Sequence, residues 1–311
     1  MKFGANTLIW SGEYDRQVQS LLPSIKENGF DGIEFPLFSL EGFDPTSVRR
    51  DTEAAGLECT VASAFTPGSS LIDDDPQVRT NTLQQLKDRL NAAADAGARL
   101  FCGPMYSPVG YLPGRRRTND EWSRAVENLQ ALGDTLAANR MTLAIEPLNR
   151  FETFFLNTAG DAALLCDQIH HPNIGILFDT FHANIEEKDI AAGIRTVGRH
   201  LKHVHTCEND RGIPGSGHVE WPAVFQALRD LQYDAWLTIE SFGFNIGAIS
   251  AAAAIWRDIE KTPESIAFEG IKFLKSHYAG ISPETARDLT AGNQPGVGAE
   301  TLHARSPRSA R

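Results

Sequence analysis

Up to about residue 278, short apolar runs alternate with stretches in which apolar residues recur every three or four positions. The runs are KFGANTLIW, GIEFPLF, LECTVASAF, RLFCGPMY, TLAIEPL, IGILFDT, KHVHTC and WLTIESF. Each is short enough for a strand buried on both faces. They recur at roughly 30-residue intervals, the length of one strand–helix unit. The stretches between them carry helix punctuation. Asp75 precedes Pro76, an N-cap with proline at the first helical position. Leu83, Leu86, Leu90 and Ala94 follow at helical spacing, and Gly97 suits a C-terminal stop. Thr118 and Glu121 have the spacing of a capping box ahead of Trp122, Val126, Leu129 and Leu136.

Eight alternating units predict an α/β fold, a (β/α)8 TIM barrel, as a single domain over residues 1–278. A doubly wound sheet is the rival, but no G-x-G-x-x-G turn follows the first run. From 279 to 311 the periodicity stops. This segment is rich in Gly, Pro, Ser and Arg and is expected to be a mobile tail.

Composition narrows the function. Apolar residues at 41% and charged residues at 22% describe an ordinary globular chain. A net charge of −11 argues against nucleic acid or an anionic membrane surface as partner. The four cysteines have no C-x-x-C spacing, so reduced thiols and a cytoplasmic location are expected. The N-terminus does not read as a signal peptide, and no run approaches the roughly 20 apolar residues of a membrane span.

The candidate chemistry lies where a barrel of this kind places it, at the C-terminal ends of the strands. The fifth run ends in Glu146, the sixth in Asp179, the seventh in His205 and the eighth in Glu240. Four ionisable side chains then converge on one quarter of the mouth. Three carboxylates without a counter-charge would raise one another's pKa values. A divalent cation removes that conflict. Three oxygen donors and one imidazole suit Mn²⁺, Mg²⁺ or Co²⁺ better than a zinc site rich in thiolate. Cys207 reads as packing and His203 as a hydrogen-bonded core histidine below the metal. Glu152, His182 and Arg211 fall in the first loop positions beyond these strands and look like hydroxyl-binding groups around a polar ligand, with a solvated loop charge as the equal alternative for Arg211 taken alone. The run Gly114 to Arg117 (GRRR) reads as a solvated loop, with a phosphorylated substrate as the alternative.

Several stretches resemble one family. They are EPLNRFE (Glu146 to Glu152), LNT (Leu156 to Thr158), DTFHANIEE (Asp179 to Glu187), HVHTCE (His203 to Glu208), RGIPGSG (Arg211 to Gly217) and IESF (Ile239 to Phe242). Together they look like the ketose 3-epimerases, the D-tagatose, D-allulose (D-psicose) and L-ribulose 3-epimerase group of the xylose-isomerase-like barrels. The resemblance covers nearly all of residues 1–278 and is densest from 143 to 242. It implies one divalent metal held by Glu146, Asp179, His205 and Glu240. It implies proton transfer at C3 of a free ketose by Glu146 and Glu240 through a cis-enediolate. Glu152, His182 and Arg211 would hold O1 and O2. A homodimer or homotetramer is expected. The alternatives are an aldose–ketose or hydroxypyruvate-type isomerase on the same site, or a non-catalytic sugar-binding barrel.

Overall fold

The computed structural model describes residues 1–243 and 247–280. Among these the apolar runs form eight strands: β1 (Lys2–Asn6), β2 (Gly32–Pro36), β3 (Glu58–Ala62), β4 (Leu100–Gly103), β5 (Thr142–Ile145), β6 (Ile174–Asp179), β7 (Leu201–His205) and β8 (Trp236–Ile239). All pair in parallel with their chain neighbours. β1 also pairs with β8, Gly4 opposite Thr238, so the sheet closes. The predicted (β/α)8 barrel is the architecture found. Most of the expected tail, residues 281–311, lies outside the described residues. The last described helix, Pro263–Gly280, runs past the boundary expected at 278.

Successive strand residues face opposite ways, so each strand feeds two cores. Ile33, Phe35, Val61, Phe101, Leu143, Ile145, Ile176, Phe178, Val204 and Leu237 belong to the large core between sheet and helices. The alternate set includes a small separate cluster of Ala62, Leu100, Cys102, Ala144, Leu177 and Trp236. The same set also holds Asn6, Glu34, Thr60, His203, His205 and Thr238, all buried. Polar residues thus sit inside the barrel in register with one another: Asn6 pairs with Glu34, Glu34 with Thr60, and Asp179 with His205.

The helices start where the sequence punctuates. Asp75 caps Pro76–Asp95 by accepting from the Gln77 N–H. Thr118 and Glu121 make both bonds of a capping box at Asn119–Gln130. The apolar spacing from Trp122 to Leu136 does not mark one helix, however. The chain breaks after Gln130 and resumes at Gly133–Ala138. Two glycines are required by close backbone approach. A Cβ on Gly103, whose φ is +130°, would lie 2.0 Å from the Ser63 carbonyl oxygen. One on Gly175 would lie 2.4 Å from the His200 oxygen, beside the register shift that aligns His203 and His205 with Leu177 and Asp179.

Candidate active site

Four neighbouring strands bring the expected acids and imidazole together. Asp179 and His205 are the last residues of β6 and β7, and Glu146 and Glu240 directly follow β5 and β8. All four are buried, and one ligand-capable atom from each lies within 4.8 Å of the others. His205 Nδ1 is 3.3 Å from Glu240 Oε2 and 4.0 Å from both Glu146 Oε1 and Asp179 Oδ2.

Two of these atoms, Glu146 Oε1 and His205 Nδ1, are buried with no hydrogen-bond partner. Buried polar atoms are normally satisfied, so an orphaned carboxylate oxygen beside an orphaned imidazole nitrogen needs an explanation. A cation between them supplies one. The group could hold a metal ion, and its oxygen-rich donor set fits a hard divalent ion.

The two glutamates differ electrostatically. Burial and the nearby Glu240 carboxylate push Glu146 well above the usual carboxylate range. Burial acts upward on Glu240 too, but His205 and Arg211 outweigh it and bring the group to about 2. Paired carboxyls with pKa values driven apart are suited to hold and accept a proton respectively.

Arg211 sits deeper than a loop group facing only a ligand. Its Nη1 donates to Asp179 Oδ2 at 2.8 Å and Glu240 Oε2 at 2.6 Å, so it touches two of the four cluster residues. The guanidinium lies over the rings of Phe181 and Phe242. Its backbone has φ +68°, a strained value for a non-glycine residue. Glu208 orders the loop that carries it. This fully buried carboxylate accepts from the Gly215 and Val219 N–H groups and from the Trp221 indole.

His182 is also buried in the site. Its Nδ1 accepts from the Asn149 backbone N–H at 3.1 Å. Burial brings the ring to about 3, so it is neutral. Its Nε2 lies 3.2 Å from Arg211 Nη2, which can only donate, and 3.6 Å from Glu146 Oε1 and 3.8 Å from Asp179 Oδ2. Glu152 lies at the rim, where its Oε1 accepts from the Asn149 side chain.

Glu146, Glu152, His182, His205, Arg211 and Glu240 all line one cavity of about 340 Å³. The rest of its wall is mainly apolar, with Leu8, Phe38, Phe65, Val109 and Phe242. Its size is at the lower end of small-molecule sites, roughly 300–1,000 Å³. A larger cavity of about 780 Å³ opens at the other end of the barrel, around Lys2, Glu58 and Trp236. None of the four clustered residues lines it, and its Lys2 is already paired with Glu58. The chemistry favours the smaller one.

Of the remaining readings, Cys207 is buried, with its thiol donating to the Glu240 carbonyl, and it is not among the clustered ligand atoms. His203 is buried against Glu34. In the GRRR run, Arg115 pairs with Glu121 and Arg117 with Asp161. Sequence reasoning missed Glu34 and Asn6. The signal was available: Glu34 lies between Ile33 and Phe35 in an apolar strand, at the inward phase.

Comparison with known proteins points to one group of relatives. The chain is 34% identical over 278 residues to a Synechocystis protein named "Probable ketose 3-epimerase", covering 89% of this chain and 97% of that one. It is 30% identical over 264 residues to a D-psicose 3-epimerase from Ruminiclostridium cellulolyticum, covering 83% and 90%. The crystal structure of a D-allulose 3-epimerase from Methylomonas in complex with D-allulose superposes with a TM-score of 0.85 at 25% identity, covering 89% of this chain and 97% of that one. Residues 22–277 match the family described as xylose isomerase-like TIM barrel, and the chain belongs to that family.

Proposed function

We propose that this chain is a ketose 3-epimerase that interconverts free ketoses differing at C3. It would use one divalent metal ion, Mn²⁺ first among the candidates, held by Glu146, Asp179, His205 and Glu240. The observation that carries this reading is the pair Glu146 and Glu240. These are two buried carboxylates that face one cavity, each with an oxygen in the same four-residue cluster. The names of the relatives support it from an independent direction.

Inversion beside a ketone needs the C3 proton to leave from one face and a proton to arrive on the other. A single base would tend to return it to the same side. In this reading the ionised glutamate takes the C3 proton, and the protonated one delivers its own to the opposite face. The two residues exchange protonation states in each turnover, so the same pair serves both directions. The metal, when bound, supplies Lewis-acid polarisation of the substrate oxygens. Arg211 offers N–H donors to substrate oxygens, His182 presents its Nε2 edge beside them, and Glu152 accepts from a hydroxyl. These three fix which carbon lies between the glutamates.

Isotope exchange tests this. A ketohexose incubated with metal-loaded enzyme in D₂O should gain deuterium at C3 and yield the C3 epimer without an aldose. NMR of the recovered sugar reads both. Deuterium at C1 with aldose accumulating would replace the proposal with an aldose–ketose isomerase. No exchange with any ketose would leave a binding barrel. In the same assay Glu146→Gln and Glu240→Gln should each lower kcat at least about 100-fold, the usual worth of a positioned general base.

A further inference from the structure

Glu34 is the least expected side chain in the barrel. It is fully buried in the middle of β2, one layer beneath the mouth. A buried carboxylate is costly unless its oxygens are filled with donors. Here they are. Oε1 accepts from Asn6 Nδ2 at 3.0 Å and from His205 Nε2 at 2.7 Å. Oε2 accepts from Thr60 Oγ1 at 2.9 Å, His203 Nε2 at 2.8 Å and the Cys102 thiol at 3.4 Å. The Asn6 amide cannot be turned round, because its Oδ1 already accepts from the Leu8 N–H.

An ionised carboxylate only accepts. Each imidazole that meets Glu34 through Nε2 must therefore carry its proton there. For a neutral His205 this leaves the lone pair on Nδ1, the nitrogen that is buried without a partner and faces Glu146, Asp179 and Glu240. Glu34, Cys102, His203 and His205 are themselves close enough to hold a second ion. Yet both oxygens of Glu34 are already bonded directly to the two imidazoles, and a cation there would have to displace both contacts.

We infer that Glu34 is the positioning residue of the metal centre: it fixes His205 in the tautomer and orientation that present Nδ1 to the metal, and it keeps the lower cluster a hydrogen-bonded support and not a second metal site. The inference rests on reading the upper cluster as a metal centre. Carboxylates that hold a metal-ligating histidine by its other nitrogen raise ligand basicity, and removing such partners typically costs about 10–100-fold in affinity. Glu34→Gln keeps an acceptor for His205 while losing the charge. Its amide can still satisfy His203, because that ring's Nδ1 is unpartnered and free to take the proton. Glu34→Met removes the acceptor altogether.

The test is Mn²⁺ titration of chelator-stripped protein, following free Mn²⁺ by its paramagnetic resonance signal. Wild type should bind one ion per chain. Glu34→Gln should bind about 10-fold more weakly and Glu34→Met about 100-fold more weakly. Nitrogen NMR of the Mg²⁺-loaded wild type, labelled at histidine, should show His205 carrying its proton on Nε2 and none on Nδ1. Should Glu34→Met fail to fold, the Gln variant and the NMR measurement still decide. Failure of wild type to bind any ion would sink the metal centre itself. One ion bound with unchanged affinity in Glu34→Gln and Glu34→Met, two ions in wild type, or a His205 protonated on Nδ1 in the metal-loaded protein would overturn the role of Glu34 alone.

Discussion

Asp179, Glu240 and Arg211 form a charge group beside the cavity. Arg211 bridges the other two through one nitrogen, and all three are buried. Breaking a buried pair by removing one partner is strongly destabilising, by about 3–5 kcal/mol, because the remaining charge is left uncompensated. Arg211→Ala leaves two such carboxylates. In chelator-stripped protein its melting temperature should fall by several degrees. Added Mn²⁺ should recover much of that loss, because a divalent cation between the same carboxylates replaces the missing positive charge. Calorimetric scans with and without Mn²⁺ check this. If the stripped variant melts with wild type, the two ion pairs contribute nothing in solution. Glu146 and Glu240, by contrast, are exchanged for glutamine to remove a proton carrier, and the effect should appear in kcat.

Among the secondary-structure elements, the local signals were legible and the tertiary ones were not. Asp75 and Thr118 cap their helices through bonds to residues two or three positions on, so spacing alone reveals them. Thr118→Ala should cost about 1 kcal/mol. In a chain of this size that is a fall of about 2 °C in melting temperature, with kcat and KM unchanged because the cap touches no cavity residue. A shift in KM would mean that the Asn119–Gln130 helix steers the mouth. The strand ends were legible for a related reason: in a barrel, position along the strand sets height, so four polar residues ending successive runs had to converge. Glu34 escaped because its meaning depends on partners far along the chain, His203 and His205. Arg211 was placed at the mouth but not on the carboxylates, since loop sequence gives no depth. The break between Gln130 and Gly133 falls within one continuous apolar spacing, which does not distinguish one helix from two.

At the scale of the whole molecule, the candidate metal centre is also a tie across the barrel. Its four side chains come from β5, β6, β7 and β8, half of the closed sheet, and each strand contributes one. An ion held by all four would bind the folded barrel and not the unfolded chain, where the same residues are scattered over nearly 100 positions of sequence, from Glu146 to Glu240. Such binding stabilises by mass action, by about 4 kcal/mol when free ion exceeds its dissociation constant a thousandfold. At roughly 2 °C per kcal/mol for a chain of this size, that is a rise of about 8 °C in melting temperature. The rise should grow with the logarithm of Mn²⁺ concentration, and it should be lost on chelation. It should also shrink in Asp179→Asn, which removes one ligand charge from a residue given no proton-transfer step. Scanning calorimetry across a Mn²⁺ series gives the dependence directly. A melting temperature unmoved by Mn²⁺, Co²⁺ and Mg²⁺ alike would mean that the four strand ends converge for some purpose other than holding an ion. A rise that is the same size in Asp179→Asn would place the ion elsewhere on the barrel.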